Sequence, residues 1–248
     1  MDGVLYTNKK EIGCLRSIFA DIDALGLKVL YGTNNATKTP EEYCQKMAGF
    51  GVEAKPEQFF SSSIATVYQL KKDFPNGARI YVIGTESLKR MVRDAGFEIA
   101  EENVDLVLTS ADFNVTYAEI SLGMRNAMKC GRHYATNGDM TFPTEIGWQP
   151  GAGMIVNAVE VCSGVKANII GKPNPAMLLM ACEANGLKPE EVLAVGDRHG
   201  TDILSGHNAG AHTALVMTGY ETEETLPTLD PQPELVCKDL TELIGMFK

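Results

Sequence analysis

Short apolar segments alternate with segments of helical periodicity along the chain, and this alternation restricts it to α/β folds. Leu15, Ile18 and Ile22 recur at helical spacing, and Gly26 ends that helix. The segments that predict short buried strands in the outer parts of the chain are 27–31, 167–170, 192–195 and 213–216. Strands separated by helices favour a doubly wound parallel sheet with helices on both faces.

The middle of the chain has strands and helices of its own. Strands are predicted at 80–83, 104–108 and 133–135, and helices at 87–95 and 116–129. Glycine and polar residues at the junctions favour an α/β domain over 77–166, inserted into a core formed by 1–76 and 167–248. A continuous sheet is the alternative. Trp148, the single tryptophan, is expected to pack inside this domain.

Charge and cysteine content exclude several classes of protein. With 22 Lys and Arg against 32 Asp and Glu, the net charge is −10, which disfavours nucleic acid and anionic membranes as partners. No apolar run reaches the length of about 18 residues that a membrane-spanning helix requires. The six cysteines form no CxxC pair and are expected to be reduced and mostly buried. With no signal peptide in the sequence, a cytoplasmic protein is expected.

Polar segments occur at four places where the pattern predicts the end of a strand. They are Asp2-Gly3-Val4, Thr33-Asn34-Asn35, Lys172-Pro173 and Gly196-Asp197-Arg198, the last followed by Asp202. Open parallel sheets bind ligands at the carboxyl ends of their strands. Each segment by itself is more typical of a turn, but four in order predict a shared site.

The residue types in these segments match the chemistry of phosphoryl transfer. Asp197 and Asp202 offer the hard oxygen ligands that Mg²⁺ prefers. Lys172 is a cation for a phosphoryl oxygen, and the Thr33 hydroxyl with the backbone N–H groups beside Asn34 can bind another. Asp2 is a candidate general acid and base.

These segments resemble the motifs of the haloacid dehalogenase superfamily of phosphatases. The resemblance extends over essentially the whole chain. Within the superfamily, the chain looks most like the branch that contains 4-nitrophenylphosphatases, phosphoglycolate and pyridoxal phosphatases, and NagD-type nucleotidases. The matching segments are Asp2-Gly3-Val4-Leu5-Tyr6, Thr33-Asn34-Asn35, Gly171-Lys172-Pro173-Asn174-Pro175, Gly196-Asp197-Arg198-His199-Gly200-Thr201-Asp202, Ala135-Thr136-Asn137-Gly138-Asp139 and Pro150-Gly151-Ala152-Gly153. The resemblance implies the haloacid dehalogenase core with an inserted cap domain.

The resemblance also implies a mechanism. A first Asp attacks phosphorus and forms an aspartyl-phosphate, while Asp2 is the acid and base. Thr33 and Lys172 hold the phosphoryl group. Mg²⁺ is bound by the first Asp, by the backbone carbonyl of Asp2 and by Asp197, and Asp202 organises the metal. The implied reaction is hydrolysis of a small phosphorylated metabolite.

The printed sequence departs from the family pattern at the first motif. If Met1 is the middle residue of Asp-x-Asp, the nucleophile belongs one position before it, together with the apolar strand that precedes it in the family. The chain as printed is therefore expected to be inactive and to lack its central strand. Three explanations of this departure remain open. The start of the sequence is misassigned, the sequence is a fragment, or the protein is a non-catalytic homologue that binds phosphate or a metabolite.

The cap resemblance implies how a substrate is chosen. A cap loop covers the leaving group in this branch, and the stretch 137–150 is expected to contribute to it. Asn137 and Asp139 are its candidate contacts, although both residues also suit a simple turn. Phosphoglycolate, pyridoxal phosphate, nucleoside monophosphates and sugar phosphates all remain open as substrates. Caps of this branch often pair, so a homodimer through the cap is expected. A dinucleotide-binding protein is disfavoured because no GxGxxG motif follows the first strand of either half.

Overall fold

A computed structural model describes residues 1–7, 9–144 and 147–248 of the chain. Their contacts divide the chain into two compact units. The first comprises Met1–Thr33, Pro40–Phe60 and Lys172–Lys248, and the second comprises Asn34–Thr39 and Ser61–Gly171. The chain therefore passes between the units at four peptide bonds.

Secondary structure alternates as the sequence predicts. The strands are β1 (Tyr6–Thr7), β2 (Lys10–Glu11), β3 (Tyr31–Thr33), β4 (Phe59–Ser61), β5 (Arg79–Ile83), β6 (Glu98–Ile99), β7 (Leu106–Thr109), β8 (His133–Ala135), β9 (Thr141–Thr144), β10 (Gly147–Pro150), β11 (Ala167–Ile169), β12 (Leu193–Gly196), β13 (His212–Val216) and β14 (Leu235–Cys237). The α-helices are α1 (Leu15–Ala24), α2 (Pro40–Gly49), α3 (Ser62–Asp73), α4 (Glu86–Asp94), α5 (Tyr117–Cys130), α6 (Ala152–Ser163), α7 (Ala176–Asn185), α8 (Leu204–Ala209) and α9 (Leu240–Gly245). Over these ranges, no helix combines the length and the apolar character needed to cross a membrane.

The first unit contains a parallel sheet with the order β12-β13-β14. Strands β3 and β4 pair separately, and β1 and β2 form an antiparallel pair. The apolar face predicted for α1 is confirmed, because Leu15, Ile18 and Ile22 are buried in one cluster with Tyr31 and Val216. Strands β3 and β12, whose carboxyl ends carry candidate site residues, both pack against this apolar cluster.

The second unit has a parallel sheet of its own, with the order β11-β8-β7-β5-β6. Its limits are wider than the predicted 77–166, because it also includes α3 and β11. Leu70 of α3 is fully buried in one cluster with Ile80 and Leu106, and Ala167 of β11 pairs with His133. The sequence pattern placed 167–170 in the core, because local periodicity predicts a strand without specifying its partner.

Two expectations about side-chain burial are wrong. Trp148 does not pack inside the second unit, since it lies on β10 with 64% of its surface exposed. The six cysteines are free, but Cys14 and Cys162 are exposed, and only Cys182 and Cys237 are buried. Glu145 and Ile146, within the loop stretch 137–150 predicted to cover a leaving group, lie outside the described residues.

The α/β class with parallel sheets is confirmed. Parallel strands need crossover connections, and helices supply them in both units. In the second unit, for example, α4 lies between β5 and β6, and α5 lies between β7 and β8. The two paired strands β9 and β10, which are antiparallel, stand apart from this sheet.

A buried histidine of the second unit predicts a pH-dependent stability. His133 is 2% exposed, and its Nε2 lies 2.8 Å from Thr109 Oγ1. Burial lowers the pKa of His133, although a backbone contact at Val165 and the Glu160 carboxylate oppose the shift. Below a pH of about 6.5 the unfolded chain therefore binds a proton that the folded chain does not. We expect the free energy of unfolding to fall as the pH drops from about 6.5, by at most about 1.4 kcal/mol per pH unit from this group.

Urea unfolding between pH 5 and pH 8 measures this dependence. His133→Leu is expected to flatten the curve below pH 6.5 relative to the unmodified chain. Thr109→Val removes the Nε2 partner but leaves the ring buried, so its curve should keep the slope. An unchanged slope in His133→Leu would contradict the assignment.

Candidate active site

A buried ion pair joins Lys172 and Asp202 in the first unit. Lys172 Nζ lies 2.6 Å from Asp202 Oδ1, and the two side chains are 16% and 14% exposed. Burial raises the pKa of Asp202, but the Lys172 ammonium, the Met1 α-amine and hydrogen bonds from Lys172 and the Arg198 N–H hold it below its usual value. Asp202 is thus a carboxylate at neutral pH and accepts a charge-assisted hydrogen bond.

A π-helical turn over His199–Ile203 positions Asp202 behind β12. The helix α8 begins directly after this turn, at Leu204. The Asp202 N–H donates to the Arg198 carbonyl at 2.9 Å. A Cβ at Gly196 would overlap the Asp202 side chain, so the close approach requires glycine. Turns of this kind are frequent at functional sites.

The Asp197 carboxylate lies in a cradle formed by two glycines. A Cβ at either Gly3 or Gly219 would overlap it. The carbonyl of Asp197 accepts from the Tyr220 N–H at 3.2 Å. Burial and the neighbouring Asp202 carboxylate raise the pKa of Asp197 to about 6, although the Met1 α-amine and Lys172 oppose them. Asp197 is therefore a buried carboxylate whose charge the surrounding residues compensate only in part.

The Asp2-Gly3 turn enters the same region from the start of the chain. Gly3 has φ of +73°, its N–H donates to the Tyr6 carbonyl at 2.9 Å, and its carbonyl accepts from the Thr218 hydroxyl. The Met1 α-amine is buried, and its pKa is lowered by burial and by the Lys172 ammonium, against the carboxylates of Asp202, Asp197 and Asp2. The charges of Lys172 and of the three carboxylates therefore all act on the Met1 nitrogen.

Thr33 ends β3, and Tyr43 of α2 lies close to it. Burial raises the pKa of the Tyr43 phenol well above its usual value, the Thr33 side chain opposes this shift, and the Asp2 carboxylate reinforces it. Tyr43 stacks on Phe59 with ring centroids 5.5 Å apart. Nothing in the helical spacing of α2 distinguishes a core tyrosine from one beside a site.

The remaining candidate residues lie in the second unit. Asn34 Nδ2 donates to Asp139 Oδ2 at 3.1 Å, and Asn137 Nδ2 donates to the Asn34 carbonyl at 2.8 Å. The Asp139 N–H donates to Asn137 Oδ1 at 3.1 Å, and Asn137 is 4% exposed. The structure therefore brings Asn34 together with the two cap residues, which sequence reasoning had assigned to separate tasks.

The first unit gathers the other five candidates. Lys172, Asp197, Asp202 and Asp2 share the surroundings of the Met1 α-amine, and Thr33 and Asp2 share those of Tyr43. This cluster combines one cation, a hydroxyl and three carboxylates, a set that suits a phosphate and a hard metal ion.

The carboxylate oxygens of Asp197 and Asp202 are donors that suit Mg²⁺, but they are fewer than a complete magnesium site contains. Across residues 1–7, 9–144 and 147–248, no group of three or more Asp, Glu, His or Cys side chains is arranged as a metal site. Asp202 is engaged by Lys172, and a Cβ at Gly3 or Gly219 would overlap the Asp197 carboxylate. A small hard cation beside Asp197 would compensate its buried charge.

Comparisons with known proteins agree with this geometry. A family model described as haloacid dehalogenase-like hydrolase matches residues 1–98, and one described as HAD-hydrolase-like matches residues 169–243. An acid sugar phosphatase of Staphylococcus aureus is 36% identical over 246 residues, which cover 99% of this chain and 95% of that protein.

Solved structures give the same result. A 4-nitrophenylphosphatase from Thermotoga maritima matches with a TM-score of 0.93 and 31% identity, over 100% of this chain and 95% of that one. NagD from E. coli K-12 matches with a TM-score of 0.90 and 27% identity, over 98% of this chain and 95% of that one.

The chain belongs to the haloacid dehalogenase superfamily of hydrolases. Within it, the relatives place the chain in the phosphatase branch of the 4-nitrophenylphosphatases and NagD. The resemblance stated from the motifs is thereby confirmed, and so is the class of enzyme.

Proposed function

We propose that this protein hydrolyses a small phosphorylated metabolite in a Mg²⁺-dependent reaction that passes through an aspartyl-phosphate. The observation that carries the proposal is the buried Lys172–Asp202 pair beside the Asp197 carboxylate. Relatives named as acid sugar phosphatase and 4-nitrophenylphosphatase support a phosphate monoester as the substrate.

Each residue of the cluster has a proposed task. The Lys172 ammonium, the Thr33 hydroxyl and the N–H groups next to Asn34 hold the phosphoryl oxygens. Asp197, Asp202 and the Asp2 carbonyl hold Mg²⁺, which when bound neutralises phosphate charge. Asp2 donates a proton to the leaving alcohol oxygen and later takes one from the water that attacks phosphorus.

The nucleophile is proposed to be an aspartate joined to the Met1 nitrogen. Its carboxylate oxygen would form a bond to phosphorus as the ester P–O bond breaks, and water would then release orthophosphate and restore the carboxylate. The electrostatic influence of Lys172, Asp202 and Asp197 on the Met1 nitrogen supports this proposal.

A second candidate is a protein that binds phosphate without hydrolysing it. This alternative is supported by the Lys172 ammonium and the Thr33 hydroxyl, which suit phosphate binding without a covalent step. Turnover by a chain extended at Met1 distinguishes the two candidates.

Metal binding gives a test that needs no turnover. Asp197→Asn is expected to remove the repulsion between Asp197 and Asp202 and so to raise the melting temperature of the metal-free chain. The same change should abolish the rise in melting temperature that millimolar Mg²⁺ produces in the unmodified chain. Differential scanning calorimetry with and without Mg²⁺ measures both effects.

Asp73→Asn is a suitable control for this test, because Asp73 lies on α3 and accepts a hydrogen bond from Tyr134, in the second unit. It should leave the Mg²⁺ response intact. A Mg²⁺-induced shift of unchanged size in Asp197→Asn would remove Asp197 from the proposed metal site.

The state of the cysteines bears on the cellular compartment of the protein. Free thiols at all six cysteines support a reducing compartment, and we propose the cytoplasm.

Exposed Phe113, Tyr117 and Trp148 in the second unit support a homodimer through the cap. Sedimentation equilibrium tests the dimer, since a mass of 26.9 kDa would contradict it.

A further inference from the structure

The segment between β13 and β14 contacts three consecutive residues that follow β12. The Tyr220 N–H donates to the Asp197 carbonyl at 3.2 Å, and the Arg198 guanidinium lies over the Tyr220 ring, 4.6 Å from the ring centroid. The Glu221 carboxylate accepts from the His199 N–H at 3.1 Å through Oε1. All five residues belong to the first unit. The chain that leaves β12 is therefore held at each of its first three residues.

Glu221 holds the start of the π-helical turn, because His199 is the first residue of that turn. The first N–H groups of a helical turn have no acceptor within it, and the Glu221 carboxylate supplies one. Its Oε2 accepts from the Thr225 hydroxyl at 2.9 Å, so both oxygens of this carboxylate have a partner. Hydrogen bonds to a carboxylate are stronger than those between neutral groups. Glu221 thereby ties the turn to the surface segment.

The His199 side chain is fixed by the same segment. The residue is buried, with 9% exposure, and its Nε2 donates to the Pro231 carbonyl at 2.9 Å. Within the turn, the Asp202 N–H donates to the Arg198 carbonyl at 2.9 Å. The turn is therefore held both by its own hydrogen bonds and by the segment 220–231.

Two carboxylates proposed to hold Mg²⁺ lie along this part of the chain. Asp197 precedes the turn, and Asp202 is its fourth residue. Burial raises the pKa of Asp197, and repulsion by the Asp202 carboxylate adds to the increase. Without a metal ion this repulsion favours separation of the two side chains, so the backbone between them must resist it. Ligands that are held in place before the ion arrives lose little conformational freedom on binding.

We propose that Glu221 is a positioning residue, which fixes the start of the π-helical turn so that Asp197 and Asp202 are in place before Mg²⁺ binds. His199 links the turn to the same segment through its side chain, and Tyr220 holds the Asp197 carbonyl. The inference rests on the proposed function and adds to it, because Glu221 is neither a residue of the sequence motifs nor a proposed metal ligand.

The test measures the Kd of Mg²⁺ for the 1–248 chain at constant ionic strength, from the backbone amide resonances of the ¹⁵N-labelled protein. Glu221→Ala removes the acceptor of the His199 N–H and is expected to raise the Kd about tenfold, at the lower end of the effect of residues that orient metal ligands. Glu221→Gln keeps a carbonyl oxygen that can accept from His199 while it removes the negative charge. It should raise the Kd by less than about threefold.

Hydrogen exchange in the absence of Mg²⁺ gives a second readout. The amide protons of His199 and Asp202 are expected to exchange about tenfold faster in Glu221→Ala than in the unmodified chain, because both hydrogen bonds depend on the path of the turn. Glu221→Gln should retain most of the protection.

The matched control is Glu191→Ala, just before β12. Glu191 Oε2 accepts from the Lys188 N–H at 2.7 Å, so the substitution removes the same charge and the same kind of hydrogen bond from the first unit. It should leave the Kd within about twofold of the unmodified value, because a charge at the far end of this strand is largely screened by salt. The exchange of the Asp202 amide proton should not change.

The outcomes separate the inference from the proposed function. An unmodified chain that does not bind Mg²⁺ overturns the proposed metal site, and the inference with it. Mg²⁺ binding that is equally tight in the unmodified chain and in folded Glu221→Ala overturns the positioning role alone. Equal weakening in Glu221→Gln or in Glu191→Ala would show an effect of charge and would also overturn it. If Glu221→Ala does not fold, Thr225→Val removes the second partner of the carboxylate, and an unchanged Kd with unchanged Asp202 exchange in that variant overturns the role.

Discussion

A chain extended at Met1 by an apolar strand ending in Asp is expected to hydrolyse 4-nitrophenyl phosphate at least about a thousandfold faster than the 1–248 chain. The residue linked to the Met1 nitrogen would extend from the cluster of Lys172, Asp197 and Asp202. Its carboxylate would supply the covalent step that no side chain of residues 1–248 is proposed to perform. Release of 4-nitrophenolate at saturating Mg²⁺ gives the rate.

The extension needs a control of the same length. A second chain that ends the added strand in Asn places the same bulk and backbone at the site without a nucleophilic carboxylate. It should fold as well as the Asp version and remain as inactive as the 1–248 chain. A folded Asp version with no turnover would instead favour the phosphate-binding candidate, and equal turnover in both extensions would show that another group is the nucleophile.

Lys172→Met is expected to lower the free energy of unfolding by about 3–5 kcal/mol. The substitution keeps most of the side-chain volume but leaves the Asp202 carboxylate buried without its 2.6 Å partner. The Asp197 carboxylate nearby adds repulsion that the Lys172 ammonium otherwise reduces. Urea unfolding followed by circular dichroism at pH 7 measures the loss.

A double variant and an exposed ion pair make this prediction specific. Lys172→Met combined with Asp202→Asn removes the unpaired charge and should recover a large part of the loss. Arg93→Met breaks the exposed pair with Glu86, whose side chains are 51% and 73% exposed, and should leave the free energy of unfolding almost unchanged. A loss as small as that of Arg93→Met would mean that water solvates Asp202 and that the pair is not buried in solution.

Local patterns predicted most of the secondary structure. The periodicity of Leu15, Ile18 and Ile22 gave α1, and the helices expected at 87–95 and 116–129 are α4 and α5. These predictions succeed because backbone hydrogen bonds within a helix and the burial of one face depend on residues a few positions apart. The strands before Asp197 and at 133–135 were predicted for the same reason.

Patterns along the chain could not predict which sheet a strand joins. A strand forms at 167–169, within the expected 167–170, yet its partner is β8, some 34 residues earlier in the register Ala167↔His133. Strand pairing depends on long-range packing, which a window of neighbouring residues does not contain. The wider limits of the second unit and the exposed position of Trp148 have the same cause.

The candidate site shows the same division. The residue types at Asp2, Thr33, Lys172, Asp197 and Asp202 were recognisable because phosphate and Mg²⁺ select cations, hydroxyls and carboxylates. The sequence motifs contained no signal for the partners of these groups. Sequence spacing does not predict that Lys172 pairs with Asp202 or that two glycines pack against Asp197. It also does not predict that Ser62 donates a hydrogen bond to the Asn34 carbonyl.

The sequence by itself determined the elements, the family and the chemical types of the candidate site residues, because these depend on local propensity and on side-chain chemistry. Only the tertiary structure decided which charges pair, which remain partly uncompensated and which unit holds Asn34. Those properties depend on burial and on distances of a few ångströms between residues far apart in the chain, and folding alone brings such residues together.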